Sequence, residues 1–138
     1  MAAEVAERRV RASRRVRIDE SLLASALLRL RHDQGGPFAR WTLGEHGSVE
    51  IDTWFTPAED GAHRAAGWLF GPEGDVVRVD IVATAVENRS DLALRTLAPL
   101  PSRWALQPFG LRALARAALS ELAEELCWQA SRTVPATA

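Results

Sequence analysis

The sequence predicts a single α+β domain: two antiparallel sheets, a short central helix and a long C-terminal helix. Three observations carry this expectation. Residues 76–87, VVRVDIVATAVE, alternate apolar and polar side chains, the two-residue period of a half-buried strand. Residues 111–131 repeat apolar side chains at helical spacing instead. Between such runs stand clusters of glycine, proline and aspartate that break either kind of element. The 138 residues are 47% apolar and 25% charged, an ordinary globular composition with enough chain to bury one core.

Residues 1–9 read as a flexible basic N-terminus, 10–132 as the domain and 133–138 as a tail. In VRASRRVRI (10–18), Val10, Ala12, Val16 and Ile18 alternate with polar residues, a strand weakened by Arg14 on the apolar face. The run LLASALLRLR (22–31) fits two descriptions. Leu23, Ala26, Leu27 and Leu30 make a helical stripe with Asp19 as a cap, and the same residues make a buried strand. Gly35-Gly36-Pro37 ends it. FARWTLG (38–44) and SVEIDTWF (48–55) predict two strands joined by a hairpin, with Gly47 supplying a positive φ. Thr56, Pro57 and Glu59 form a capping signature, which predicts a helix through PAEDGAHRAA ending at Gly67 as C′ residue. GPEGD (71–75) is a tight turn before the long strand 76–87. After a turn at NRSD, LALRTLA (92–98) is its antiparallel neighbour, Pro99 and Pro101 break the ladder, and RWAL reads as one more short strand. In the last helix Leu111, Leu114, Ala115, Ala118, Leu119, Leu122 and Leu126 form the buried stripe. Arg112 and Arg116 near its start and Glu121, Glu124 and Glu125 further on oppose the helix dipole, which points to partners elsewhere.

Charge is unevenly placed. Residues 1–18 hold six arginines (Arg8, Arg9, Arg11, Arg14, Arg15, Arg17) against Glu4 and Glu7, so this segment carries +4 within a chain of net charge −1. Such a stretch offers an anion-binding arm for nucleic acid, lipid or an acidic partner. It reads better as a solvated arm, because no aromatic residues are interleaved for base stacking. All 17 cations are arginine, as an arginine-biased codon usage produces. No apolar run is long enough for a membrane span, no secretory leader is present, and one cysteine forms no internal disulfide, so a cytoplasmic protein is expected.

Catalytic constellations are not evident. His32, His46 and His63 are scattered, which predicts no metal site, and no cofactor motif is found. Cys127 stands among glutamates, which do not activate a thiol. Glu50, Asp52 and Asp80 alternate with apolar residues as on a solvated sheet face. Trp41, Trp54 and Trp68 are core filling, with a ligand cavity as the alternative. Taken alone, the residues describe a non-catalytic binding or scaffolding domain.

The stretch LRHDQGGPFA (30–39) resembles the signature of the SsgA-like sporulation and cell-division proteins of actinomycetes, matching at Leu30, Arg31, Asp33, Pro37 and Ala39, with Phe38 in place of a tyrosine. Gly74, Asp75 and Val76 in GPEGDVVRV resemble that family's turn and strand, LAPLPSRWAL a later segment, and RTVPATA its C-terminal Arg-Thr and Val-Pro. The family's Arg-Asp-Leu-Leu helix motif is replaced by AEDGAHRAA. The resemblance implies a whirly-like fold, a strand at 22–31, assembly as a homo-oligomer with a trimer favoured, and no catalysis. It further implies an adaptor for sporulation-specific septum formation, located at division septa, whose partners are cell-division proteins such as the tubulin-like FtsZ or another SsgA-like protein. The motif residues named above would then contact the partner.

Two other readings stand beside it. A helix-grip, START-like domain that binds a small molecule or lipid would show a helix at 20–31, an unbroken meander and a C-terminal helix over a cavity. A single-stranded nucleic-acid binder would use the arginine arm.

Overall fold

The computed structural model describes residues 10–33, 39–53, 55–58, 61–86, 88–97, 100–101, 103–104 and 109–133. One curled, seven-stranded antiparallel sheet carries two helices on a single face. The elements are β1 (Arg11–Val16), α1 (Glu20–Asp33), β2 (Ala39–Thr42), a 3-10 turn (Gly44–His46), β3 (Ser48–Ile51), β4 (Thr56–Pro57), β5 (Ala62–Phe70), β6 (Val76–Val86), β7 (Arg89–Thr96) and α2 (Phe109–Thr133). The strand order is β1-β7-β6-β5-β3-β2, with β4 on the part of β5 that β3 leaves open. The two-sheet arrangement expected from the sequence is therefore replaced by one sheet.

Residues 22–31 form a helix, not the strand that the family resemblance implied. Two local causes are visible. Asp19 caps the helix: its Oδ1 accepts from Leu22 N at 3.1 Å and from Ser21 Oγ at 2.6 Å. The Ser21 hydroxyl is the main reason the Asp19 carboxyl lies below its ordinary pKa. The segment Glu20–Asp33 also contains no β-branched residue, so nothing in it favours a strand over a helix. Leu23, Ala26, Leu27 and Leu30 are buried, as the helical stripe required.

The helix expected at 57–66 is also absent. Thr56–Pro57 and Ala62–Phe70 form a hairpin, and Gly67 lies within β5 rather than at a helix end. Ala58 N donates to Ala62 O at 2.8 Å, and Gly61 turns the chain at φ +81°, a conformation closed to a helix interior. The local capping signal loses to nine residue pairs with β6, which bury Ala65 and Leu69 on the inner face. Arg103 and Trp104 are helical, so RWAL does not begin a strand.

Other expectations hold. β2 and β3 form the predicted hairpin, and GPEGD turns β5 into β6 with Gly71 N donating to Asp75 O at 2.7 Å. In β6, Val77, Val79, Ile81 and Ala83 are buried on the inner face, opposite Leu92 and Leu94 of β7. Every residue of the predicted C-terminal stripe is buried against α1 and the sheet. Arginines near the start of α2 cost a few tenths of a kcal/mol each. Each of the buried leucines 111, 114, 119 and 126 contributes about 1.5–3 kcal/mol, so burial decides.

The first strand is fastened to the last by two polar groups on the inner face. Ser90 Oγ donates to Ile18 O at 2.7 Å, and Val10 N donates to Thr96 Oγ1 at 2.9 Å. Ser90 and Thr96 are buried and satisfied, one at each end of β1.

Gly47 closes the β2–β3 hairpin at φ +126°, where an added Cβ would lie 2.0 Å from Phe70 O. Gly47→Ala should therefore lower stability by more than about 2 kcal/mol, and Gly44→Ala, which adds a Cβ into open space, by only about 1 kcal/mol. Urea unfolding of both variants checks this, and equal losses would refute the steric account.

Candidate functional site

The hairpin β2–β3, the hairpin β5–β6 and the segment leading into α2 converge at one end of the sheet. Between them lies a cleft of about 310 Å³, lined by Glu45, His46, Glu73, Asp75, Arg103, Trp104 and Phe109 among others. Each part is placed by a local cause. Glu45 and His46 belong to the 3-10 turn, closed by Leu43 N donating to Gly47 O at 2.8 Å. Trp104 is buried and packs over Gly71, where a Cβ would come within 2.7 Å of the indole ring. Arg103 forms ion pairs with Glu73 and, at 3.5 Å, with Asp75. Phe109, 79% exposed, stands at the rim.

The cleft thus has an aromatic floor, an aromatic rim and three carboxylates against one guanidinium. It favours a small flat molecule carrying a positive charge or hydrogen-bond donors. No group of three or more histidine, cysteine, aspartate or glutamate side chains is arranged to hold a metal among the described residues.

The outer face of the sheet is polar. Asp52 Oδ2 accepts from Arg78 Nη1 at 2.5 Å and from Trp68 Nε1 at 3.0 Å, while the Arg78 guanidinium lies 4.8 Å above the Trp68 ring. The Arg78 hydrogen bond is the chief cause of a depressed Asp52 pKa. Asp80 accepts two bonds from Arg95, at 3.2 and 3.1 Å. Arg40 pairs with Glu50 at 3.8 Å and covers Phe70. The solvated acidic face expected at Glu50, Asp52 and Asp80 is therefore an ion-paired one.

The structure separates most residues that the sequence grouped. Leu30 is core; Arg31 and Asp33 lie in the last turn of α1, and Ala39 opens β2, while Pro37 and Phe38 lie outside the described residues. Gly74, Asp75 and Val76 sit at the end where β2 leaves the sheet, whereas Ala39 lies at its other end, so among the described residues the two motif halves do not meet. Among the described motif residues, Asp75 alone lines the cleft. Arg8 and Arg9 lie outside the described residues. Arg11 and Arg15 project from the outer face of edge strand β1, and Arg14, on the opposite side, is exposed beside α2. Trp41 is buried on the inner face whereas Trp68 is on the outer, so they share no cavity wall; Trp54 lies outside the described residues. Cys127 is exposed and faces Arg14, Arg15 and Arg17 as well as Glu124, a more basic setting than its sequence neighbours indicated. The cleft residues were missed because three distant turns supply them; the Pro-Glu-Gly-Asp turn was the only local signal.

No protein-family model matches the chain, and no curated protein matches it by sequence. Among solved structures it is similar to TTHA0849 from Thermus thermophilus, at 14% identity and a TM-score of 0.47 over 92% of this chain and 99% of that one. It is also similar to the Mll3558 protein from Rhizobium loti, at 19% identity and a TM-score of 0.37 over 86% and 96% of the two chains. A third is the Zhui aromatase/cyclase from Streptomyces sp. R1128, at 16% identity and a TM-score of 0.37 over 94% and 96%. No helix among the described residues is long and apolar enough to cross a membrane.

Asp52 supplies a pH test. Its folded pKa lies below the ordinary value of 3.8, so its stabilisation is present above that value and is lost as pH falls through the folded pKa. Asp52→Asn should lower the melting temperature at neutral pH and leave a shallower acid limb below about pH 4, because the carboxylate that titrates there is gone. An unchanged acid limb in thermal melts across that range would show that the Arg78 contact contributes nothing.

Proposed function

We propose that the chain is a helix-grip, START-like domain that binds a small molecule non-catalytically at the cleft between the sheet turns and the start of α2. The observation that carries this reading is the cleft itself: an aromatic floor and rim at the open end of a sheet wrapped on a long helix. The helix at Glu20–Asp33 and the antiparallel run β5-β6-β7 support it, as the helix-grip alternative expected, whereas the large cavity it also expected under the last helix is not seen among the described residues. Buried apolar side chains, Trp41 among them, pack between the sheet and the helices, which puts the ligand at the mouth rather than deep under α2. The division-adaptor reading rests on the motif resemblance, whose implied elements at 22–31 and 57–66 are a helix and a strand here.

The charge of the cleft sets the order of ligands. Tryptamine, indole and indole-3-acetate present the same ring with positive, neutral and negative charge. Titration of each, followed by amide chemical shifts, should give affinities in that order, with shifts clustered at 44–47, 71–75, 103–104 and 109–110. Phe109→Ala should weaken tryptamine binding about three- to tenfold, the worth of one aromatic contact, and leave the fold intact. No binding of any of the three at millimolar concentration, or binding indifferent to Phe109, would overturn the proposal.

A further inference from the structure

Away from the cleft, the outer face of the sheet has a trough of about 510 Å³. The strand register explains it. Ser13, Ala93 and Val82 lie side by side on β1, β7 and β6, so small side chains form the floor. Arg11 and Arg95 face each other one row along, and Arg64 extends the floor row on β5. The carboxylate lining the trough is Asp80, already held by Arg95. Asp80 neutralises Arg95, which leaves Arg11 as the exposed cation at that end of the trough.

The solvent side of α2 is the complement. Glu121, Glu124, Glu125 and Trp128 lie at helical spacings of three and four and line one surface together. Trp128 is 53% exposed, a large apolar ring framed by three carboxylates. They stand two turns or more before the C-terminal end of α2, outside the reach of the helix dipole, so helix stability does not account for their charge.

We propose that the acidic face of α2 in one copy docks into the arginine-rimmed trough of a second, with Trp128 on the floor of small residues and the glutamates against Arg11. The two patches differ and lie on opposite layers of the molecule. The contact is therefore head-to-tail, and it closes into a ring or extends according to the rotation between copies. Edge-to-edge pairing through β1 is disfavoured by Arg14, a charge on the inward side of an edge strand.

Light scattering on the full chain tests this. Wild-type protein should assemble at about 0.1 M salt and dissociate at about 1 M, where the screening length falls from about 10 Å to about 3 Å. Glu121→Arg with Glu125→Arg should abolish assembly, as should Arg11→Glu with Ser13→Glu, the latter two at exposed positions. Mixing the two double variants should restore assembly, since the two intact faces remain complementary and the two charge-reversed faces become so. Circular dichroism melts of each variant separate loss of docking from loss of fold. A wild-type monomer at about 0.1 M salt, a mixture that stays monomeric with both variants folded, or assembly that survives either double substitution overturns the proposal. A monomer whose trough instead retains a single-stranded oligonucleotide overturns it as well.

Discussion

The joining of β1 to β7 is the constraint on which the rest of the structure depends. It is antiparallel over six residue pairs and fixed at its ends by the Ser90–Ile18 and Thr96–Val10 hydrogen bonds. Without it, β7 would be an edge and the helices would lose the wall formed by β1. With it, the sheet curls far enough for α2 to lie along its inner face, packed on α1 and β1. Each bond alone is worth only about 0.5–1.5 kcal/mol, but leaving Ser90 or Thr96 buried and unpaired would cost roughly a further 1–3 kcal/mol. The pins are thus conditional: they stabilise the closed sheet modestly and penalise any arrangement that buries them unpaired.

The same closure explains how charge is distributed. A curled sheet with helices on one side has one buried and one solvated face. The arginines of alternate positions, Arg78 and Arg95 among them, fall on the solvated face and meet Asp52 and Asp80 there. The outer face is consequently held by paired side chains rather than left as a hydrated surface. These are partly exposed pairs, worth about 1 kcal/mol or less apiece, so their role is to order the face more than to stabilise the fold.

Much of the fold was legible in the sequence, and the misreadings have physical causes. The alternation of Val77, Val79, Ile81 and Ala83 in 76–86 and the seven-residue apolar stripe of α2 each admitted one description, because burial on one face leaves a period that competing elements cannot share. The Asp19 cap was legible too, yet Leu23, Ala26, Leu27 and Leu30 alone suited a strand as well. The motif resemblance pointed to the strand, whereas the cap and the absence of β-branched residues favoured the helix. At 56–67 the error ran the other way. Thr56, Pro57 and Glu59 are a sound helix start, but Gly61 and the pairing partner at Val76–Thr84 decided the outcome, and a partner that far along the chain leaves no trace in a local window. The cleft was least legible, since its residues come from three turns that only the closed sheet brings together.

The separation of Val10 from Thr96 along the chain, 86 residues, also has a temporal consequence. During synthesis the first strand emerges long before its partner exists. It must pass that interval with Val10, Val16 and Ile18 uncovered, in a segment whose arginines keep it hydrated and repel a second copy of itself. The basic character of the N-terminal segment then serves the nascent chain before it serves the finished one. Contacts this distant in sequence also raise the contact order, which slows folding.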